Sequence, residues 1–200
     1  MKLFYTGNSP YARRPRIAVR EAGLMDKVEE IDIAPREEHG HLLMEQGPGG
    51  KVPGLLTDDG AYLCESIIIT HYLDELAGGK LLPKAGAERA AALQIEGLAS
   101  LLMDSLFVRA RENRRDPSEQ SPGVIEIEAN RAARTYDALN ESVPSFDGAI
   151  HLGTIAGVSA LGYADWRHPG DNWRNGRSAL ADWFERMMQR PAMAETKPIF

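Results

Sequence analysis

The sequence predicts an α/β region followed by an all-α region, and two features of its patterning carry that prediction. In residues 1–78, short apolar strand patterns alternate with helical patterns in the order βαβαββα. In residues 87–200 only helical periodicity recurs, and the Gly- and Pro-containing segment at residues 79–86 is typical of a linker. We therefore expect an α/β domain, a linker and a helical-bundle domain.

Composition favours a chain that folds around its own core. Of its 200 residues, 43% are hydrophobic, which suits one compact unit or two small domains. The single cysteine, Cys64, excludes an internal disulfide and a cysteine metal cluster, and we expect no metal. Because Cys64 lies in an apolar run, its thiol is expected to be buried and inert.

Charge and hydropathy limit the classes of partner. The formal net charge of −6 argues against general binding to nucleic acid. This holds although four arginines lie close together in the sequence: Arg109, Arg111, Arg114 and Arg115. No stretch approaches the ~18 apolar residues of a membrane-spanning helix, and the first residues enter a strand pattern directly. These features predict a soluble, cytoplasmic protein that does not enter a membrane.

The first strand and the first helix are predicted from turn and capping residues. Leu3–Thr6 has a strand pattern, and the turn after it leads into a helix for which Ser9 has the chemistry of an N-cap. Pro10 suits the first helical position, and the helix is expected to run to about Glu21 before Gly23 ends it. The positive end of the helix dipole would then lie beside the Ser9 hydroxyl.

The remaining elements of the first region follow in order. Val28–Ile33 predicts a second strand, which the right-handed β-α-β crossover places parallel to the first. The polar segment from Pro35 to Gln46 is expected to be partly helical. Two more strands, Gly54–Thr57 and Ala61–Cys64, precede a helix at Ser66–Leu76.

The segment that ends at Pro53 is the first candidate ligand contact. Proline cannot donate to a β-ladder, so Pro53 is expected to begin its strand and to mark a sheet edge. Val52 would then be the last residue whose backbone N–H and C=O face outward. Such a residue can pair in β fashion with an extended, peptide-like ligand.

Glu65-Ser66 is the second candidate contact. Ser66 precedes an apolar helical run and has the chemistry of an N-cap, and the free amides of a helix start favour a carboxylate. The side chain of Glu65 suits a neighbouring ammonium group. Together they describe a site for an amino-acid head group. A serine cap and a strand-starting proline are each ordinary structural features, and only their short separation favours a binding site.

Helical patterns account for the second region. The first spans Ala87–Arg114 and has one apolar stripe of Leu98, Leu101, Leu102 and Leu106. Ser121-Pro122 opens a second helix, which is expected to end before Pro144. Leu152–Trp166 is the best candidate for a buried central helix. A last pattern has residues that are expected to be core: Leu180, Trp183, Phe184, Met187 and Met188.

Three spaced motifs resemble those of the glutathione S-transferase superfamily. They are Ser9-Pro10-Tyr11-Ala12-x-Arg14-x-Arg16, similar to the catalytic loop of the serine- and cysteine-type classes, then Pro48-x-Gly50-Lys51-Val52-Pro53, then Glu65-Ser66. The resemblance implies a thioredoxin-like first domain, an all-α second domain and a homodimer. One departure is Gly157, which stands where the family has the Asp of a helix-capping Ser/Thr-x-x-Asp box beginning at Thr154.

The resemblance also implies glutathione as the co-substrate. Ser66 and the amides after it would bind the γ-glutamyl carboxylate, and Glu65 would bind the ammonium group. Val52 would pair with the cysteinyl backbone, and Pro53, a cis residue in the family, would fix the strand end. No metal is implied.

Three further residues are candidates at the same ligand. Lys51 and His39 would contact the glycyl carboxylate, although His39 could equally be a solvated loop residue. Asp104 could reach the glutamyl ammonium across a dimer interface, or be an ordinary solvated or ion-paired helix residue.

Ser9 is the candidate catalytic residue. Its hydroxyl would donate to the glutathione thiolate while the helix start adds favourable potential. Because the sequence places no His or Lys base beside it, Ser9 is not expected to be a covalent nucleophile.

A second substrate would bind between the domains. The expected lining residues are Tyr11, Met103, Phe107, Arg111 and Trp166, although most aromatic residues of such helices are packing residues. Three functions remain: transfer of glutathione to a small electrophile or reduction of a peroxide, thiol–disulfide exchange, and non-catalytic binding. Thiol–disulfide exchange is disfavoured because Ser9 and Ala12 occupy the positions where a Cys-x-x-Cys pair would have its two cysteines.

Overall fold

The computed structural model describes residues 1–33, 43–45, 47 and 49–198, and these form two compact units. One unit is Met1–Lys84 with Pro191–Phe200, and the other is Ala85–Arg190. The sequence prediction assigned the C-terminal segment to the second domain instead. The segment groups with the first unit because Arg13 donates to the Met193 carbonyl at 3.1 Å and Arg20 pairs with Glu195 at 3.1 Å.

A mixed sheet with the strand order β2-β1-β3-β4 forms the centre of the first unit. Its strands are β1 (Lys2–Tyr5), β2 (Glu29–Asp32), β3 (Gly54–Leu56) and β4 (Tyr62–Cys64). As predicted, β1 and β2 are parallel, while β3 is antiparallel to both β1 and β4. Leu3 and Leu55, on adjacent strands, are fully buried and lie in the core of this unit.

Helices complete both units. The first unit contains α1 (Pro10–Glu21), α2 (Ser66–Leu76) and, at its C-terminal end, α7 (Pro191–Glu195). The second unit contains α3 (Gly86–Glu112), α4 (Pro122–Phe146), α5 (Leu152–Arg167) and α6 (Ser178–Met187). Most of the predicted segment from Pro35 to Gln46 lies outside the described residues, although Leu43–Glu45 forms one helical turn.

Cys64 is exposed, so the prediction of a buried thiol is wrong. The apolar residues around it in the sequence suggested burial, but β4 is the last strand of the sheet. A residue at the end of an edge strand has a neighbouring strand on one side only, which leaves its side chain open to solvent.

In the second unit, α3 packs against both α4 and α5. Helices α3 and α5 run parallel, because Gly153 lies against Ala92 and Glu96 at one end while His168, just after α5, contacts Leu106 at the other. As predicted, α5 is buried along most of its length. It is the central helix of this unit.

Two predictions about these helices are wrong in detail. Pro144 lies inside α4 rather than after its end, at an exposed position of the last turn where water can replace the hydrogen bond that proline removes. Leu102 and Leu106 are buried as predicted, but Leu101 is 53% exposed on the opposite face of α3.

Helix α3 is long and apolar enough, by length and composition alone, to cross a membrane. The sequence pattern predicts no such segment. Core helices of soluble proteins pass the same test, and α3 packs along its length against α4 and α5.

Candidate functional site

Ser9 is the N-cap of α1, as predicted. Its Oγ accepts a hydrogen bond from the Ala12 N–H at 3.2 Å, and its own N–H donates to the Thr6 carbonyl at 3.1 Å. Ser9 is half-buried. Since the oxygen caps the helix as an acceptor, the hydroxyl proton remains able to donate to another group.

Pro53 lies immediately before β3, and the Val52–Pro53 peptide bond is cis. The ladder at this end of β3 begins at Gly54, which pairs with Phe4 and Cys64, so the missing proline N–H removes no ladder hydrogen bond. The prediction that Pro53 marks a sheet edge is wrong. Strand β3 is an inner strand, and Pro53 marks its end.

The side chain and the backbone of Val52 have different surroundings. The side chain packs against the buried cluster of Phe4, Ile33 and Leu43. The backbone N–H and C=O of Val52 make no hydrogen bond with any residue that the structure describes. An anchored residue with both backbone groups unpaired can add a β-type pairing to an extended ligand.

Tyr62 of β4 fixes the loop that leads to Val52. A Cβ atom on Gly47 or on Gly54 would collide with the Tyr62 side chain, so a larger residue at either position would have to displace that ring. Burial raises the pKa of the Tyr62 hydroxyl, with a smaller contribution from Cys64, so the ring is neutral. The contacts of this ring with Gly47 and Gly54 are therefore packing contacts.

Helix α2 begins one residue earlier than predicted. Glu65 is its N-cap residue and Ser66 its first helical residue, and the Glu65 side chain makes no capping hydrogen bond. The prediction of Ser66 as N-cap is therefore wrong. The first backbone bond of the helix runs from the Ile69 N–H to the Glu65 carbonyl at 3.0 Å, so the N–H groups of Ser66, Ile67 and Ile68 have no helical acceptor.

Glu65 reaches this position through a strained backbone conformation. Its φ of 67° and ψ of 119° lie where side-chain-bearing residues are uncommon, which costs about 1–3 kcal/mol. The adjacent Ser66 is buried, and its hydroxyl forms no hydrogen bond within the described part of the chain. Unpaired amides, an unpaired hydroxyl and the exposed Glu65 carboxylate thus lie together at one helix start.

The remaining predicted site residues differ in their exposure and in whether the structure describes them. Lys51 is exposed and makes no ion pair within the residues described, whereas His39 and Pro48 lie outside those residues. On α3, Asp104 is exposed. Their contacts with a ligand stay predictions.

Of the residues predicted to line an electrophile site, Tyr11, Phe107 and Trp166 are half-buried and Arg111 is exposed. Met103 is different, since it is 0% exposed. It lies on the buried face of α3 with Leu102 and Leu106, so we reassign it from the site to the core.

The start of α5 contains residues that the sequence analysis did not single out. His151 is the N-cap, and its Nδ1 accepts from the N–H groups of Gly153 at 3.1 Å and Thr154 at 3.3 Å. In return, the Thr154 hydroxyl oxygen accepts from the His151 N–H at 2.9 Å. At Gly157, a Cβ atom would lie 3.2 Å from the Trp183 ring. A histidine-based capping box therefore replaces the expected one.

Among residues 1–33, 43–45, 47 and 49–198, no group of three or more His, Cys, Asp or Glu side chains could hold a metal ion. The polar groups at the start of α2 are instead backbone amides and a serine hydroxyl, which bind anions.

Comparison with known proteins identifies the family. Residues 8–76 match the family described as glutathione S-transferase, N-terminal domain. Over 204 residues the chain is 30% identical to the uncharacterized GST-like protein YibF of Escherichia coli (strain K12), an alignment that covers 99% of this chain and 98% of that protein. The chain belongs to the glutathione S-transferase superfamily.

Solved structures of glutathione S-transferase relatives have the same fold. A glutathione transferase family member from Pseudomonas fluorescens Pf-5, with bound glutathione, has a TM-score of 0.93 and 29% identity, covering 100% of this chain and 99% of that one. A glutathione S-transferase from Methylobacillus flagellatus KT, with glutathione bound, has a TM-score of 0.91 and 27% identity, with 99% of each chain covered. The thioredoxin-like domain followed by a helical domain is thus the architecture of this protein.

Proposed function

We propose that this glutathione S-transferase relative binds glutathione and activates its thiol as a thiolate, for attack on a small hydrophobic electrophile or a peroxide. The observation that carries the proposal is the start of α2, where three backbone amides and the Ser66 hydroxyl have no acceptor among the residues described and lie beside the Glu65 carboxylate. The relatives from P. fluorescens and M. flagellatus, which hold glutathione, support the choice of ligand.

The γ-glutamyl head group of glutathione matches this helix start in charge. Its carboxylate would accept from the amides after Glu65 and from the Ser66 hydroxyl, where the helix dipole also favours a negative charge. Its ammonium group would pair with the Glu65 carboxylate. A ligand that supplies both groups would offset the backbone strain of Glu65 by satisfying donors that the protein leaves open.

The rest of the tripeptide would follow from the Val52 backbone. The cysteinyl residue would pair with the Val52 N–H and C=O, which have no partner within the described residues. Lys51, next along the chain, would place its ammonium group near the glycyl carboxylate, with His39 as a second candidate. This arrangement would hold the cysteinyl sulfur near the start of α1.

Ser9 would then act on the sulfur as a hydrogen-bond donor. The Ser9 oxygen already accepts from Ala12, so its proton is the part that can reach a thiolate. A donated hydrogen bond and the positive end of α1 would both favour the charged form and lower the pKa of the bound thiol.

The test replaces Ser9 with alanine. We expect glutathione affinity to remain nearly intact, because the proposed anchors are Val52, Glu65 and Ser66. The pKa of the bound thiol should rise, and turnover of a chloronitrobenzene near neutral pH should fall about ten- to a hundredfold with the loss of one charge-assisted hydrogen bond. Ultraviolet titration of the thiolate and steady-state rates measure the two effects.

Ser121→Ala is the matched control, since Ser121-Pro122 opens α4 with the same residue pair and the Ser121 Oγ accepts from Val124 at 3.4 Å. It should reduce stability by about 1 kcal/mol without changing the thiol pKa or the rate. If Ser9→Ala behaves like Ser121→Ala, the serine is only a helix cap. If the wild type binds glutathione but turns over no electrophile or peroxide, the protein is a non-catalytic binder.

We also propose that the protein is a homodimer. Support comes from large apolar side chains left exposed on helices of each unit: Ile68 at 53% on α2 and, on α3, Leu101 at 53% and Val108 at 40%. Light scattering should give about twice the 22.0 kDa chain mass. Leu101→Glu should shift the mass towards the monomer, and a wild-type monomer at micromolar concentration would refute the proposal.

A further inference from the structure

The C-terminal ends of α3 and α5 lie side by side in the second unit. Arg109 Nε donates to His168 Nδ1 at 3.1 Å, and His168 Nε2 lies 2.9 Å from the Leu106 carbonyl oxygen. Since the two helices are parallel, this contact brings their last turns together. Arg111, in the last turn of α3, Arg114 just beyond it, and Arg167, the last residue of α5, therefore share one end of the unit.

Two aromatic rings lie among these arginines. Tyr163 and Trp166 of α5 pack edge to face with ring centroids 5.8 Å apart, and the Arg167 guanidinium lies 3.3 Å over the Trp166 ring. Burial raises the pKa of Tyr163, while the positive charges of Arg167, Arg114 and Arg111 oppose that rise. The three charges thus all affect the pKa of one hydroxyl, and Arg167 also forms a hydrogen bond with it. We call Arg111, Arg114, Tyr163, Trp166 and Arg167 the arginine cluster.

The positive charges of the arginine cluster are not balanced by carboxylates. Within the residues that the structure describes, its three arginines make no ion pair. Neighbouring arginines do. Arg109 binds Asp171 at 2.6 Å, and Arg115 lies 3.4 Å from Glu119.

The Nε–H of Arg167 is also shielded from solvent without an acceptor in the described part of the chain. Burial lowers the pKa of Arg167, and the like charge of Arg114 lowers it further. Burial and repulsion from Arg114 therefore destabilise the charged form of Arg167. An anion at this position would accept from the shielded donor and relieve the repulsion.

Complementing helix dipoles is the simplest other role for these residues. Arginines in the last turns of α3 and α5 face the negative ends of both helices, which favours a positive charge. That role needs only solvated side chains, however. It accounts neither for a shielded donor without an acceptor in the described part of the chain nor for the Arg167 guanidinium lying over the Trp166 ring.

We propose that the arginine cluster binds the carboxylate of the second substrate, so that the preferred electrophile is an aromatic acid rather than a neutral hydrophobic compound. The guanidinium groups would bind the carboxylate, and Trp166 with the half-buried Phe107, one turn before Arg111, would contact the ring. This inference rests on the proposed glutathione transfer and names the substrate class for it.

The first test compares two electrophiles that differ by one charge, 4-chloro-3-nitrobenzoate and 4-chloro-3-nitrobenzamide. In both, the glutathione thiolate attacks the chlorine-bearing carbon, a C–S bond forms, and chloride leaves with the bonding electron pair. We expect kcat/KM, divided by the uncatalysed rate constant, to favour the acid about tenfold, and added salt to reduce that preference.

Variants assign the preference to the arginine cluster. Arg111→Gln and Arg167→Gln should each remove most of it while leaving glutathione affinity unchanged, and Arg167→Lys should retain part of it. Arg115→Gln is the matched control, because Arg115 is close in sequence to Arg114 but is paired with acidic residues. It should keep the full preference.

A second test does not need glutathione. Binding of 4-nitrobenzoate and 4-nitrobenzamide to the whole protein, followed by quenching of tryptophan fluorescence, should favour the acid in the wild type but not in Arg167→Gln. If glutathione does not bind, the proposed function fails and this test still decides on the arginine cluster. Equal binding of acid and amide by the wild type, or a preference that persists in both glutamine variants, would overturn the inference.

Discussion

Helices α2 and α5 begin in opposite ways. At the start of α5, the His151 ring accepts from the N–H groups of Gly153 and Thr154, and the Thr154 hydroxyl accepts from the His151 N–H, so side chains of the turn serve three of its amides. At the start of α2, Glu65 occupies the cap position with a φ of 67° and provides no acceptor for the amides that follow. Each helix has the same orphan N–H groups, but within the described residues only the start of α5 has side chains of its own turn that accept from some of them.

Their surroundings explain the difference. His151, Leu152, Gly153 and Thr154 are all buried, and since water cannot reach amides there, side chains must provide the acceptors. Around Ser66, by contrast, Glu65, Ile67 and Ile68 are exposed, so water can serve these amides until a ligand replaces it. We infer that the closed start has a structural role and the open start a binding role.

The largest effect is expected from crowding the closed start. In Gly153→Ala the new Cβ would lie 2.6 Å from the Ala92 carbonyl oxygen and 2.9 Å from the Glu96 nitrogen, both backbone atoms of α3. We expect a loss of about 3 kcal/mol in the free energy of unfolding, measured with urea.

Gly97→Ala is the control for that change, because a Cβ at Gly97 meets nothing within 4 Å. It should stabilise α3 by about 0.5–1 kcal/mol, the usual gain for replacing a glycine inside a helix. Similar effects at Gly97 and Gly153 would show that the close approach of α5 to α3 is not a constraint.

A smaller loss is expected from opening the capping box. Thr154→Val keeps the shape of the side chain but removes the buried acceptor for the His151 N–H, which should cost about 1–3 kcal/mol of stability. Affinity for glutathione should not change. Calorimetry that shows weakened glutathione binding in a folded Thr154→Val protein would contradict the separation of the two roles.

The smallest effect concerns pH. Burial lowers the pKa of His151 and of His168 below their ordinary value of 6.5, against opposing influences of Glu96 on His151 and of Leu106 and Asp171 on His168. As the pH falls through that value, the unfolded chain takes up protons before the folded one. Stability should therefore be constant above it and decrease below it.

Urea unfolding between about pH 8 and pH 5 would measure this dependence. His151→Asn, which can still cap α5 but does not titrate, should show a shallower decrease than the wild type. An unchanged slope would mean that His151 does not contribute.

The sequence predicted what depends on neighbouring residues. Ser9-Pro10 and Ser121-Pro122 begin helices as expected, because a cap and a first-turn proline act within a few residues. Val52 lies just before an inner strand, and Cys64 is exposed on an outer strand. Both facts depend on the order of the strands in the sheet. No pattern within one segment reveals which strand is outermost.

The two helix starts were harder to predict for related reasons. A positive φ at Glu65 is contrary to local preference, so propensity placed the cap one residue later, at Ser66. Histidine is not among the preferred cap residues, and it serves at His151 because burial keeps the ring neutral and its Nδ1 able to accept. In both cases tertiary surroundings override the local preference.

The most direct test measures stability and glutathione affinity on Ser66→Ala beside Thr154→Val. We expect Ser66→Ala to weaken glutathione binding by about 1.5–3 kcal/mol, the value of a hydrogen bond to a charged group, while its free energy of unfolding stays within about 0.5 kcal/mol of the wild type. Thr154→Val should show the reverse pattern. If Ser66→Ala folds and binds glutathione with unchanged affinity, the open start of α2 is not the binding site.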